Sequence, residues 1–487
     1  MKSRLLPAVN RFEGAALLVI ALLGGLISFE LLWGRPAPLR VNYTNWQNKK
    51  IGAQDRILSL GFNQPIDGQG LSQLWKISPN LGGQLSWQGK RLFYSLTETP
   101  RYGVNYQIQL QPGLGAAPRE LENFTSLASA RNRSFFYIGT DGEERGRLIL
   151  FDLTDPQKLQ KTILTPKDLL VRQFQVYPQG DRVLFIASDP RERQPQLALF
   201  TVTTGVHHNK TQQSAEIPGR LERLLAEDGY DTLQIALAPR GERGALLRQN
   251  RQNPTDRGLW ILEPDGSARP LGVKAEQFRL SPRGTQAAFR QGDGVGIAPL
   301  TPEGGGSQFW RGYERAMAFT PDGNGVLLTQ INDDYTYSLV IKNSQTQETE
   351  AIFRSVYPVQ TCEFDPIPPQ DLYCLKTEMV NQGEGNFQEE TFLIRIDRKT
   401  GKTQSLLALP NYPDAQLSLA PDGSALLLDQ AAIAPPVGAN DVLTPSQQAV
   451  TEARIWLLPL AELRQTQSTP RLAPQEVTAG FAPLWLP

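Results

Sequence analysis

The chain has 487 residues, too many for one ordinary domain, and its 49 Lys+Arg are balanced by 49 Asp+Glu. That balance leaves no basic surplus for nucleic acid and no acidic tail of the disordered kind. Only two His are present, which narrows histidine-based catalysis and metal binding, while 42 Gly and 37 Pro are dispersed along the chain, as suits many short strands and tight turns.

After a short tail, residues 1–13, residues 14–33 read GAALLVIALLGGLISFELLW. Twenty residues at a helical rise of about 1.5 Å reach about 30 Å, one hydrocarbon core. Glu30 is the only charge inside and lies near the end, and Trp33 falls where an interfacial aromatic would. The stretch is longer than a leader's apolar region and no A-x-A site follows it, so a retained transmembrane helix is predicted over a cleaved signal peptide. Lys2, Arg4 and Arg11 before the span and Arg35, Arg40, Lys49 and Lys50 after it nearly balance, so flanking charge alone does not orient it.

Residues 40–115 read as alternating strands separated by turn signals, at about ten-residue spacing, and predict a small β-sandwich. Within them stand Ile57-Leu-x-Leu-x-Phe62 leading to Pro65, Ile77-Ser78-Pro79, the turn Trp87-Gln88-Gly89, and Tyr106-x-Ile108-x-Leu110. This order resembles the bacterial Ig-like domains of the SbsA type. The resemblance implies a spacer or adhesion-type module without catalytic residues.

Residues 120–487 repeat one device: an apolar strand, Pro-x-Gly, and a second apolar strand. The clearest copies carry Pro321-Asp322-Gly323 and Pro421-Asp422-Gly423; Pro282 with Gly284, Pro239 with Gly241 and Pro178 with Gly180 follow the same rule. A hairpin recurring every ~40–60 residues predicts a β-propeller. Counting first strands gives starts near Asn123, Arg172, Thr232, Glu276, Arg315, Val359 and Asp414, hence seven blades, with six or eight as alternatives. The C-terminal run Phe481-Ala-Pro-Leu-Trp-Leu-Pro487 is predicted to pair with the first blade and close the ring, because an open ring leaves two unpaired edges. The turn motifs, with later strand-to-Thr-Gly segments ending at Gly205 and Gly401, resemble TolB-like and WD40-like propeller repeats. That resemblance implies the fold and, for the TolB family, protein partners in the cell envelope. The chain is thus read as all-β, a propeller plus an Ig-like sandwich, with one N-terminal transmembrane helix.

Cys362 and Cys374 flank a Pro-rich loop and fall opposite one another in a hairpin centred on residue 368, close enough for a bridge. The other reading is two small buried hydrophobes. A bridge favours a compartment outside the cytoplasm, and a body facing the extracytoplasmic side.

No G-x-S-x-G elbow occurs. His207 and His208 are adjacent in a polar run, which reads as a solvated loop between blades. The run from Gln291 through Gly292, Gly294 and Gly296 lacks the Lys-Ser/Thr of a phosphate loop and reads as a hairpin turn. Asn332-Asp333-Asp334-Tyr335 does not match calcium-loop spacing and reads as an exposed turn. Trp260, Phe289, Trp310 and Trp456 read as core. Residues 431–452, polar and Pro-containing, read as a flexible loop inserted in the last blade and as the best partner-binding segment. The first strands carry Gln175, Gln234, Arg279 and Glu363 rather than converging carboxylates. The sequence therefore assigns no catalytic, cofactor or metal residues. It favours a membrane-anchored, non-catalytic propeller that binds a protein or an envelope polymer. The alternatives are an enzyme (hydrolase, lyase or sugar-active) with an acidic site in the ring channel, and a purely structural part of a larger complex.

Overall fold

The Pro-x-Gly repeat is a β-turn whose geometry its residues dictate. In each well-formed copy the residue before the proline accepts the glycine N–H: Gly180 to Tyr177, Gly284 to Ser281, Gly323 to Thr320 and Gly423 to Ala420. Proline presets the backbone angle at the second turn position, and each of these glycines takes a positive φ, between 66° and 82°, that a Cβ would oppose. Asp322 and Asp422 accept the N–H two residues on, from Asn324 and Ser424. Gly241 lies outside the described residues.

The computed structural model describes residues 15, 16, 18–25, 28, 38–66, 74–111, 121–193, 195–207, 217–225, 229–240, 243–383, 385–410, 415–460 and 473–487. Of the span expected at 14–33, residues 15, 16, 18–25 and 28 are helical, with Leu18, Val19, Ile20, Leu22 and Leu23 exposed; the rest lies outside the described residues. No helix among the described residues is long and apolar enough to cross a membrane.

The chain divides into two compact units, residues 1–47, 57–95 and 107–127, and residues 48–56, 96–106 and 128–487. In the first, Val41–Thr44, Ile57–Phe62, Arg91–Leu96 and Gly83–Gln88 form one sheet in that spatial order. Ile57–Phe62 and Arg91–Leu96 alternate between buried and more exposed residues, the pattern of an antiparallel sheet with one solvated face.

The second unit contains seven four-stranded antiparallel sheets among the described residues. Sheets II to VII each take four strands in chain order, starting with Leu170–Val176, Tyr230–Leu237, Phe278–Leu280, Arg315–Phe319, Val359–Phe364 and Leu417–Leu419. Sheet I is assembled from both ends of the unit: Ser134–Ile138, Leu148–Asp152 and Gln160–Ile163 are joined by the C-terminal strand Phe481–Trp485, which takes the first-strand place. The first strands touch in a closed circuit, II on III, III on IV, and so on to VII on I and I on II. This is a β-propeller arrangement. Second strands such as Arg182–Ser188 and Gly325–Ile331 are covered on both faces, and for that reason read as unbroken apolar runs rather than alternating ones.

Two expectations change. The strand Phe124–Ala130, read as opening the first blade, belongs to none of the seven sheets, and its Ser129 and Ala130 pair in parallel with Lys50 and Ile51; the C-terminal strand holds the place it was given. Residues 431–452 are not one loop. Ala431 to Ala434 extend the ladder of sheet VII and pair with Ala453, Glu452, Val450 and Ala449, so only residues 435–448 leave the hairpin. Apart from Glu452 the paired residues of this extension are Ala, Ile and Val, a pattern that the polar composition of the intervening loop obscured.

Trp485 is 3% exposed, lies edge-on to Phe135 with ring centroids 5.9 Å apart, and donates its indole N–H to the Ser418 carbonyl at 3.0 Å. Trp485→Ala removes the anchor of the closing strand and is expected to cost about 3–5 kcal/mol, or about 4–7 °C in melting temperature for a unit of this size. The exposed Trp87→Ala is the control, with a shift of about 1 °C or less. Thermal unfolding followed by circular dichroism reads both.

Candidate functional site

The inner circuit of first strands is where a propeller concentrates polar chemistry, and here those polar side chains share one task. Gln173 on sheet II accepts the Ile235 N–H of sheet III at 3.0 Å. Gln234 on sheet III bonds both backbone groups of Phe278 on sheet IV, donating to its carbonyl at 2.9 Å and accepting its N–H at 3.2 Å. Arg279 donates Nε–H to the Met317 carbonyl of sheet V at 2.9 Å, and Arg315 donates to Val359 and Gln360 of sheet VI at 2.7 and 2.8 Å. Glu363 accepts the Leu419 N–H of sheet VII at 2.9 Å. Ser418 then accepts the Trp485 N–H of sheet I at 3.3 Å, and Asp429 accepts that of Ala482 at 2.7 Å. Side chain to backbone, the circuit is clasped from II round to I. Each clasp satisfies an inner-strand N–H or C=O that faces a neighbouring sheet and not a ladder.

The first strands can do this because most are bulged. The pairing of first to second strand slips between Val171 and Gln173, Thr232 and Gln234, Ala316 and Ala318, Val359 and Thr361, and Phe481 and Leu484. A bulge adds twist and re-aims the side chains beside it. The clasps also keep register with the turn. Gln173 and Gln234 stand five residues before their turn prolines; Arg279, Glu363 and Ser418 stand three before theirs. Gln175 makes no such bond among the described residues.

Cys362 and Cys374 are directly opposite in the ladder of sheet VI and are joined by a disulfide, with Cα atoms 4.1 Å apart. Both are buried beside Met317, Leu327 and Ile394, and the bridge pins the strand that carries Glu363.

The other polar concentration is a cavity of about 370 Å³ flanked by Lys50, Asn132, Asp152, Thr204 and His207. Lys50 donates to Asn132, which donates to Asp152 at 2.6 Å, while Asp152 also accepts the Thr154 N–H at 2.8 Å. His207 is exposed at its edge; His208 lies outside the described residues. The remaining motifs are structural in form. Gly292 and Asp293 are the two-residue turn between Gln286–Gln291 and Gly294–Pro299. Asp334 is engaged by Thr336 and Arg354, and the Thr336 hydroxyl bond leads in holding its carboxyl below the usual range. Phe289 and Trp310 are buried, and Trp260 and Trp456 pack against the core. No group of three His, Cys, Asp or Glu among the described residues is placed to hold a metal ion.

Sequence reasoning missed the clasps although it named three of their residues, because it looked for converging carboxylates. Their place three to six residues before a turn proline was the available signal. It also missed segments 48–56 and 96–106, in the second of which Tyr102 donates its N–H to Asp422 at 2.8 Å.

Burial raises the Glu363 carboxyl to about 7, opposed by the Leu419 N–H. A carboxyl raised in the folded state stabilises most below its unfolded value, and that contribution is lost as pH rises through about 7. Stability is therefore expected to fall between pH about 5 and about 8. Glu363→Gln keeps the acceptor without the charge, so it is expected to flatten the profile and melt about 2–4 °C higher at pH about 8. Coincident profiles in thermal melts across that range contradict this role.

No family model matches the chain, and no curated protein does. Among solved structures it is similar to a candidate 6-phosphogluconolactonase from Bacteroides uniformis, at 12% identity and TM-score 0.44, covering 73% of this chain and 99% of that one. TolB from Acinetobacter baumannii is 10% identical, with TM-score 0.37 and coverage of 87% and 86%. An oligogalacturonate lyase from Vibrio parahaemolyticus is 10% identical, with TM-score 0.40 and coverage of 71% and 85%. Likenesses at these values assign no activity, ligand or partner.

Proposed function

We propose that this chain is a membrane-anchored, non-catalytic binding scaffold: a seven-bladed, TolB-like propeller whose sheets run from residue 134 to residue 485, preceded by an Ig-like spacer within 40–115 and an anchor at 14–33. The observation that carries the reading is the clasped inner circuit. Gln173, Gln234, Arg279, Arg315, Glu363, Ser418 and Asp429 hold neighbouring sheets together, and the two carboxylates among them accept backbone N–H groups, Glu363 from Leu419 and Asp429 from Ala482 and Gln416. A wall built this way supplies rigidity, not an acid–base pair. The bridged Cys362 and Cys374 support placing the body in an oxidising, extracytoplasmic compartment. Residues 435–448 leave the long hairpin of sheet VII and carry Val437 at 95% exposure. A rigid ring with an exposed loop of this kind suits a protein partner or an envelope polymer.

The test is photo-crosslinking in native membranes with the probe at Val437, against a probe at the exposed Ile217. The expected result is a discrete adduct in the membrane fraction at Val437 only, lost when residues 438–448 are replaced by a Gly-Ser linker with the probe kept at 437. Equal labelling at both positions contradicts the scaffold reading, as does turnover of a sugar or ester substrate by the purified chain.

A further inference from the structure

We propose that Arg279 and Arg315, on the first strands of sheets IV and V, form an oxyanion site on the inner circuit that takes a phosphate or sulfate group. Two arginines on adjacent strands stand without an ion-paired carboxylate among the described residues. Arg279 reaches across to Met317, two residues along the strand that begins at Arg315. Arg290, whose charge also acts on Arg315, is paired with Glu276 at 3.3 Å, so that carboxylate is already engaged. Glu314 lies beside Arg315 in sequence, but its carboxylate faces the Thr329 hydroxyl at 3.5 Å.

The clasp leaves part of each guanidinium unused. Arg279 spends Nε on Met317 and Nη1 on Phe278, and its Nη2 has no partner among the described residues. Arg315 spends Nη2 on two carbonyls; its Nη1 has no such partner, and its buried Nε is likewise unpartnered. Arg279 keeps exposed surface as a residue, while its guanidinium is sunk among the inner strands. Both groups are held below the ordinary arginine range, by burial first; for Arg279 the charge of Arg315 adds to this. Two crowded guanidiniums, each fixed by backbone carbonyls and each with spare N–H groups, are a preorganised receptor for a doubly charged, multi-acceptor anion. A single carboxylate or chloride offers fewer acceptors and less charge.

The measurement is isothermal titration of the full chain with inorganic phosphate and with sulfate, at fixed pH and at ionic strength held with chloride, alongside thermal melts. A sugar phosphate forms a parallel arm. Saturable one-site binding is expected, with a rise of about 2–4 °C in melting temperature at ligand ~100 times Kd. Tighter binding of the sugar phosphate points to a phosphorylated ligand, and equal binding to the free ion; both support the site. Arg279→Gln and Arg315→Gln are each expected to weaken binding at least about 10-fold. Arg269→Gln, which removes an exposed arginine paired with Glu263 elsewhere in the ring, is expected to leave it unchanged. No saturable heat with the unmodified chain overturns the proposal, whatever the folding of the variants. So does a stabilisation of equal size in all three variants, which marks a general salt effect.

Discussion

The propeller depends on how seven sheets are joined where they come closest. Within a sheet the backbone ladder does the work. Between sheets no ladder exists, and the inner strands are left with N–H and C=O groups facing a neighbour they cannot pair with directly. The chain fills that gap with side chains: amides where both a donor and an acceptor are needed, as at Gln234 over Phe278, arginines where carbonyls face inward, and an oxygen where an N–H does, as at Glu363 and Ser418. A neutral hydrogen bond of this kind contributes only about 0.5–1.5 kcal/mol, but leaving the backbone group unpaired costs about 1–3 kcal/mol. The asymmetry makes each clasp a device that specifies the neighbour more than one that adds stability.

The same constraint explains the C-terminal strand. A ring of sheets closes only if the last joins the first, and here the closure is a β-ladder within sheet I rather than a contact between sheets. Phe481, Trp485 and Leu486 are buried there, and Ser418 and Asp429 of sheet VII hold the strand from the other side. Ladder and clasp meet on one strand, so ring closure and inter-sheet docking are coupled. The Cys362–Cys374 bridge lies on sheet VI, beside the clasp made by Glu363.

Legibility in the sequence followed the range of the interaction. The turns at Gly180, Gly284, Gly323 and Gly423 were readable, because Pro and Gly act on their own backbone angles. The strands were readable because burial on both faces leaves unbroken apolar runs, as in Phe135-Phe136-Tyr137-Ile138. The place of Phe124–Ala130 was not, since its alternation suits either of two sheets and the choice rests on partners far away in sequence. The polar residues were the hardest. Gln234, Arg279 and Glu363 were visible as polar residues on inner strands, but their partners lie ~40–60 residues on, and single-strand patterns carry no trace of them. The bulges that aim them are equally silent, because a bulge is a property of two strands in register.

Amide hydrogen exchange resolved at Phe278 tests the central claim most directly, comparing the unmodified chain with Gln234→Leu. The clasp account predicts that the Phe278 amide is among the slowly exchanging ones and that the substitution accelerates it about 10-fold, while Trp485, clasped by Ser418 across the ring, keeps its rate. An unchanged Phe278 rate, or protection no better than that of loop amides in the unmodified chain, contradicts it.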